Sequence, residues 1–269
     1  MCQLSSVRPL AFWEAFQWRS TSRSSDETII IASLLNLSTY QILKSPAEEG
    51  RMQILLSLLD DQKKIPSGFI FLPGPRISDR GFGWAPKSWM TRHGRDYPDP
   101  QFPKDRMTLY SSLTPDGLIV QYPGIRLRRP VEPMLEERFW VTMSRSLHEW
   151  YSIEYIRDSD TADWTDICRQ QHPDLGLIYS RPNPGEISEI ALLISIQGER
   201  IIRDTNAMAQ DGNSGIAHHV ISAKILCRAW VRLETNNTTT GALRAEFRQD
   251  PNGALWGETL GREQRWCVD

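Results

Sequence analysis

Ser24-Ser-Asp-Glu-Thr-Ile-Ile-Ile-Ala-Ser-Leu-Leu35 lies inside the stretch around which the chain is organised, Trp13 to Trp89. A polar opening runs into an apolar block. Ser24 followed three residues later by Glu27 has the spacing of a capping box, in which the hydroxyl accepts from a first-turn N–H and the carboxylate reaches back. Asp26 and Glu27 also stand where a helix dipole favours negative charge. The block from Ile29 to Leu35 is apolar nearly all round, which predicts the central, most buried helix.

Working outward, Pro9 suits a first helical turn, and Leu10, Trp13 and Phe16 follow at helical spacing. Ser38 with Gln41 repeats the capping signal for a short helix. Ser45-Pro-Ala-Glu48 adds a cap hydroxyl, Pro at the first helical position and a reciprocating Glu. The helix it opens carries Met52, Leu55, Leu56 and Leu59 on one side, with Gly50 inside it at a cost of about 1 kcal/mol relative to Ala. Gly68-Phe-Ile-Phe-Leu72 reads as a short buried strand stopped by Pro73-Gly-Pro75. The segment through Trp84 and Trp89 reads as an ordered loop pinned by its indoles.

Three prolines between Tyr97 and Pro103 deny both helix and central strand, marking a linker. Beyond it the period becomes two. Met107–Leu113, Thr114-Pro-Asp-Gly117 and Leu118–Tyr122 predict a hairpin. Further strands are expected at Phe139–Met143, Trp150–Ile156, Leu177–Tyr179, Ile190–Ile196 and Val220–Val231. Thr161–Gln171 reads as a helix and Asp204–Gly215 as a polar loop. The tail from Thr235 is rich in Thr, Asn and Gly and is expected to be loosely ordered, with Trp256 and Trp266 able to dock. The prediction is an α+β protein: an N-terminal helical layer packed against a β-rich, mainly antiparallel C-terminal half. Residues 1–96 hold the helices, short strand and Trp-rich loop, 97–104 the linker, and 105–269 the β-rich segment.

A chain of 269 residues with 40% hydrophobic and 24% charged residues has ample material for a core. Its formal charge of −2 gives no electrostatic case for nucleic acid. Four scattered cysteines read as reduced thiols in an intracellular, cytoplasmic protein. Neither a basic leader followed by an apolar run nor a run of about 20 apolar residues is present, so no secretory signal and no membrane span is expected.

Chemical motifs are weak. Cys168 and His172 could share a helix face, and His218-His219 are adjacent, but a zinc site calls for two close ligand pairs at set spacings. Asp158-Ser-Asp160 opens like a calcium loop, yet Asp163 and Arg169 stand where Gly and Glu are required. There is no G-x-x-x-x-G-K-[ST], no G-x-G-x-x-G and no G-x-S-x-G. Arg126-Leu-Arg-Arg129 reads as a solvated strand edge protected by charge. The richest constellation is Arg19, Ser20, Thr21 and Ser22 with Asp26 and Glu27, a cation, hydroxyls and two carboxylates. As helix ends need such groups to satisfy their N–H donors, these residues read first as caps. Trp84 and Trp89 read first as core. No cofactor or metal is assigned.

In order, Trp13, Phe16, Arg19-Ser-Thr-Ser22, Asp26-Glu27, Leu34-Leu35, Arg51-Met52, Ile70-Phe-Leu-Pro-Gly-Pro-Arg76 and Trp84-Ala-Pro-Lys-Ser88 resemble a region of filamentous-fungal proteins. That region follows the HET domain in the heterokaryon-incompatibility family. The similarity covers roughly the first third of the chain, and Gly50 departs from it by separating Glu48-Glu49 from Arg51-Met52. The HET domain, which resembles TIR domains, has no counterpart here, so the resemblance carries over no effector or NAD-cleaving role. It implies a setting of nonself recognition and programmed cell death. The expectation is a non-catalytic accessory or regulatory module acting by contacts with an unidentified protein partner, with Arg19, Thr21, Ser22, Asp26, Glu27, Arg76, Trp84 and Trp89 as structural or interaction residues. The alternative is a hydrolase with a dispersed site, acting on a nucleotide or small ester. Its mark would be a cavity where Arg19, Asp26 or His172 converge.

Overall fold

A helix that is apolar all round buries only the side its neighbours cover. The computed structural model describes residues 16, 18–62, 65–90, 111–128, 138–142, 149–157, 174–181, 184–203, 217–249, 255–260 and 264–269. In it, α1 (Glu27–Leu34) buries Ile31 and Ala32 but leaves Ile30 39% and Leu34 51% exposed. The expected central position falls instead to α3 (Glu48–Asp61), whose Met52, Leu55, Leu56 and Leu59 are all buried. The single turn α2 (Thr39–Ile42) lies between them.

α1 stops because Asn36 adopts the left-handed conformation, φ 56°. Leu37 N–H then donates to the Ala32 carbonyl (2.8 Å) and Asn36 N–H to that of Ser33 (3.3 Å), closing the end of the helix on itself. Gly50 is a packing choice, since a Cβ there would lie 2.4 Å from Ser45 Oγ. Ser45 does not cap α3: its hydroxyl donates to the Ala47 carbonyl, and no side chain caps the N-terminus.

The apolar run read as a strand is a 3-10 turn, Ser67–Phe71, buried throughout. Pro66 and Pro73 flank it, and Arg76 donates to the carbonyls of Ile70 (2.8 Å) and Leu72 (3.3 Å), groups a ladder would otherwise have used. Ser67 Oγ and Tyr122 Oη share a 2.9 Å hydrogen bond, and Phe71 meets the Tyr122 ring edge-on at 5.0 Å. The turn is thus fixed to the sheet.

The predicted hairpin is β1 (Ser112–Thr114) and β2 (Gly117–Gln121), paired with Thr114 opposite Gly117. Gly117 has φ 139°, and a Cβ there would sit 2.3 Å from the Val268 carbonyl. The remaining strands are β3 (Gly124–Leu127), β4 (Arg138–Thr142), β5 (Trp150–Tyr155), β6 (Leu175–Tyr179), β7 (Glu189–Arg203), β8 (Ala217–Leu233), β9 (Leu255–Thr259) and β10 (Arg265–Val268). Their order is β1-β2-β10-β8-β5-β4-β9-β3-β6-β7, and β7 also pairs with β8. That second pairing closes β8, β5, β4, β9, β3, β6 and β7 into a ring, leaving β10, β2 and β1 as a wing on the first half of β8. All pairings are antiparallel except β10 with β8 and β4 with β9.

One apolar cluster fills the ring, with Ile125, Phe139, Val141, Ile153, Leu177 and Val231 among its members. Among the described residues the interior of the ring is thus filled by side chains. A second cluster joins the helices to the outer face of the sheet, from Phe16, Leu56, Phe69 and Trp84 to Leu192, Ile194, Ile221 and Trp266. Alternation along β7 serves both, with Ala191 and Leu193 inward and Ile190, Leu192 and Ile194 toward the helices. The α+β class and the packing of helical layer on sheet are as expected.

Two expectations fail here. The described part of the tail is not loose: α4 (Asn237–Gln249) is capped by Asn236 Oδ1, which accepts from Thr238 N–H at 2.9 Å, and β10 sits between β2 and β8. Trp266 is buried and donates to the Tyr122 carbonyl at 2.9 Å. Nor is the Arg126 segment an edge, because β3 lies between β9 and β6. Arg126 pairs with Asp174 and Glu199, and Arg128 with Glu258. The segments Leu10–Ala15, 97–104, Thr161–Gln171 and Asp204–Gly215 lie outside the described residues. Cys227 and Cys267 are buried; Cys2 and Cys168 lie outside the described residues. No helix among the described residues is long and apolar enough to cross a membrane.

Candidate functional site

The polar residues ahead of α1 form contacts other than a capping box. Ser24–Asp26 is a 3-10 turn, and Glu27 N–H donates to the Ser24 carbonyl, so backbone does the work assigned to the Ser24 hydroxyl. That hydroxyl turns to α3 and donates to Glu48 Oε1 at 2.5 Å. Thr21 Oγ1 donates to the Arg23 carbonyl (3.0 Å) and accepts from its N–H (3.2 Å), a local turn. Asp26 makes no side-chain cap. Arg19 and Ser22 are exposed.

Glu27 is the organising group. Its carboxylate is buried and reaches across to the Trp-rich loop, accepting from Trp89 N–H at 2.5 Å and Ser88 Oγ–H at 2.7 Å. A first-turn carboxylate can satisfy its own helix or a distant donor. Here the buried Trp89 N–H has the stronger claim, as such a donor must find an acceptor. Ser88 Oγ also accepts from Met90 N–H at 3.0 Å. Lys87 pairs with Glu49 at 2.6 Å, and Gln53 Nε2 donates to Asp79 at 2.5 Å, so α3 holds the same loop. Arg51 binds the carbonyls of Ser45 (2.8 Å) and Ser25 (3.0 Å), joining α3 to the turn before α1.

The remaining expected residues are structural. Arg76 donates to the Trp84 carbonyl as well as to those of Ile70 and Leu72. Trp84 is buried and donates its indole N–H to the Gly81 carbonyl at 3.0 Å. Trp89 packs edge-on against Phe69 at 5.1 Å, and its indole nitrogen has no hydrogen-bond partner among the described residues. Asp269 Oδ1 accepts from Gly81 and Gly83 N–H, tying β10 to the loop.

These contacts enclose a cavity of about 250 Å³ between the turn, α1, α3 and the loop. Thr21, Ser24, Ser25, Thr28 and Ser88 supply hydroxyls, and Glu27, Glu48, Lys87 and Met90 complete the wall. The structure thus brings together Thr21 and Glu27 of the expected residues, and leaves out Arg19, Ser22 and Asp26. Thr28, Glu48, Lys87 and Ser88 were missed. Only their convergence in space singles them out, because each reads locally as ordinary helix or loop polarity.

Neither Arg19 nor Asp26 lines this cavity, and His172, the third residue expected to mark a hydrolase, lies outside the described residues. His218 and His219 stand on β8 and do not line it either, His219 being bonded to Glu199 at 2.9 Å. Ser88 donates to a carboxylate without an intervening imidazole, an arrangement that holds a hydroxyl rather than activates it. No group of three His, Cys, Asp or Glu among the described residues is placed to hold a metal. Comparison with protein-family models, curated proteins and solved structures returns no match to this chain.

Proposed function

We propose that this chain is a non-catalytic accessory or regulatory module of the fungal nonself-recognition type, acting by contact with a protein partner. One observation carries the contact reading. Of seven exposed large apolar side chains among the described residues, five (Trp18, Ile30, Leu34, Tyr40 and Leu43) fall within one short segment. Ile30 and Leu34 are one turn apart on α1, so they share a face, and α2 with Tyr40 and Leu43 packs beside it. Exposed apolar side chains scattered singly need no explanation, but their concentration on neighbouring helices fits a surface that a partner covers. The family setting rests on the sequence resemblance alone.

The test compares the chain with a Leu34→Glu, Leu43→Glu double variant as baits in fungal cell extract, with captured proteins quantified. Both side chains are about half exposed, and an unchanged melting midpoint of the variant verifies that the fold is kept. A specific protein retained by the parent chain and lost by the variant is expected. Equal capture by both, together with turnover of NAD or a generic ester by the purified chain, defeats the reading.

A further inference from the structure

We propose that the cavity beside Glu27 is a binding site for a primary ammonium group. Thr28 supplies the first observation. It lines the cavity, is only 5% exposed, and its Oγ1 has no hydrogen-bond partner among the described residues. Buried hydroxyls in proteins are nearly always paired, so one left open on a cavity wall points to an occupant that pairs with it.

The other groups say what kind. A hydroxyl has one hydrogen to donate and two lone pairs to accept with. Thr21, Ser24 and Ser88 each direct that hydrogen at a protein oxygen, and although Thr21 and Ser88 also accept from the N–H of Arg23 and Met90, each keeps at least one lone pair for anything beside it. Among the described residues the wall also carries the carboxylates of Glu27 and Glu48, while its one cation, Lys87, is paired with Glu49. The cavity is therefore rich in acceptors and negative in charge. Phosphates and carboxylates are repelled, and neutral polyols find few donors to match their own oxygens. An alkylammonium brings three N–H donors and a positive charge, and the Met90 side chain gives its stem an apolar neighbour. The ammonium can belong to a free alkylamine or to a lysine of a polypeptide. This inference stands independently of the partner surface on α1 and α2.

Calorimetric titration of the full chain tests it with n-pentylammonium and with the blocked tripeptide acetyl-Gly-Lys-Gly-amide. Pentyltrimethylammonium, which has charge but no N–H, and 1-pentanol serve as controls. Saturable binding of both amine probes is expected, with each control weaker by about tenfold or more. A tripeptide tighter than pentylammonium by about tenfold identifies a polypeptide lysine as the occupant, and equal or weaker binding identifies a free amine. Thr28→Val removes only the unpaired hydroxyl, leaves the Glu27 contacts intact, and should weaken both amines by about tenfold; Thr28→Ser should retain them. Glu48→Gln, on an exposed residue, should weaken them likewise. The proposal is overturned if neither amine saturates, if a control binds as tightly as pentylammonium, or if Thr28→Val binds like the parent chain.

Discussion

Replacing Glu27 probes the contact on which the N-terminal layer depends. Its carboxylate is buried and is the acceptor for Trp89 N–H and Ser88 Oγ–H, which join α1 to a loop sixty-odd residues away in sequence. Hydrogen bonds to a charged group contribute about 1.5–3 kcal/mol each, and a buried donor left unpaired costs about 1–3 kcal/mol. Glu27→Ala removes both bonds and strands the Trp89 N–H, so a loss of about 3–5 kcal/mol is expected. Against a typical stability of about 5–15 kcal/mol that is a large fraction. Glu27→Gln keeps an amide oxygen for Trp89, and the Ser88 hydroxyl can turn to accept from the amide NH₂, leaving a loss of about 1–2 kcal/mol. Urea unfolding followed by tryptophan fluorescence reads the difference, with Trp84 and Trp89 reporting from the same unit. Alanine costing under about 1 kcal/mol, or glutamine costing as much as alanine, refutes the reasoning.

Two further outcomes follow from polar groups that are half-buried or buried. Arg76→Lys replaces a fork that reaches three carbonyls with a single ammonium, and should destabilise by about 2 kcal/mol in the same assay; an unchanged midpoint contradicts the bracing role. Burial pushes the Tyr122 phenol from 10.0 up to about 12, against a small opposing effect of its bond to Ser67. A folded-state value above the unfolded one means the contribution is whole below pH 10 and is lost as pH climbs through 12, about 3 kcal/mol at most. Tyr122→Phe should flatten the fall in stability over that window, and a fall as steep as the parent's excludes Tyr122 as its source.

Strand positions in the second half were legible because period-two alternation is local. The segments read at Trp150–Ile156, Leu177–Tyr179 and Phe139–Met143 coincide with β5, β6 and β4 within a few residues, and Thr114-Pro-Asp-Gly117 sets the hairpin register. Short apolar runs carry no such signal. Phe69–Leu72 fits a buried strand or a buried turn equally, and flanking prolines with Arg76 on its carbonyls selected the turn. At the candidate site the sequence pointed to Thr21 and Glu27 but assigned them to capping. The Ser24-to-Glu27 spacing is compatible with that role, and only the approach of Trp89 N–H redirects the carboxylate.

By itself, then, the sequence determined the class: a helical layer first, a β-rich half after it and an aromatic loop between them. Those follow from spacing within a dozen residues. The tertiary structure alone decided the closing of the ring by β7 on β8, the insertion of the Gly- and Thr-rich tail's last strand between β2 and β8, and the cavity beside Glu27. Each depends on which distant backbone donors and acceptors meet, and pairing between remote segments leaves no periodic trace in either one.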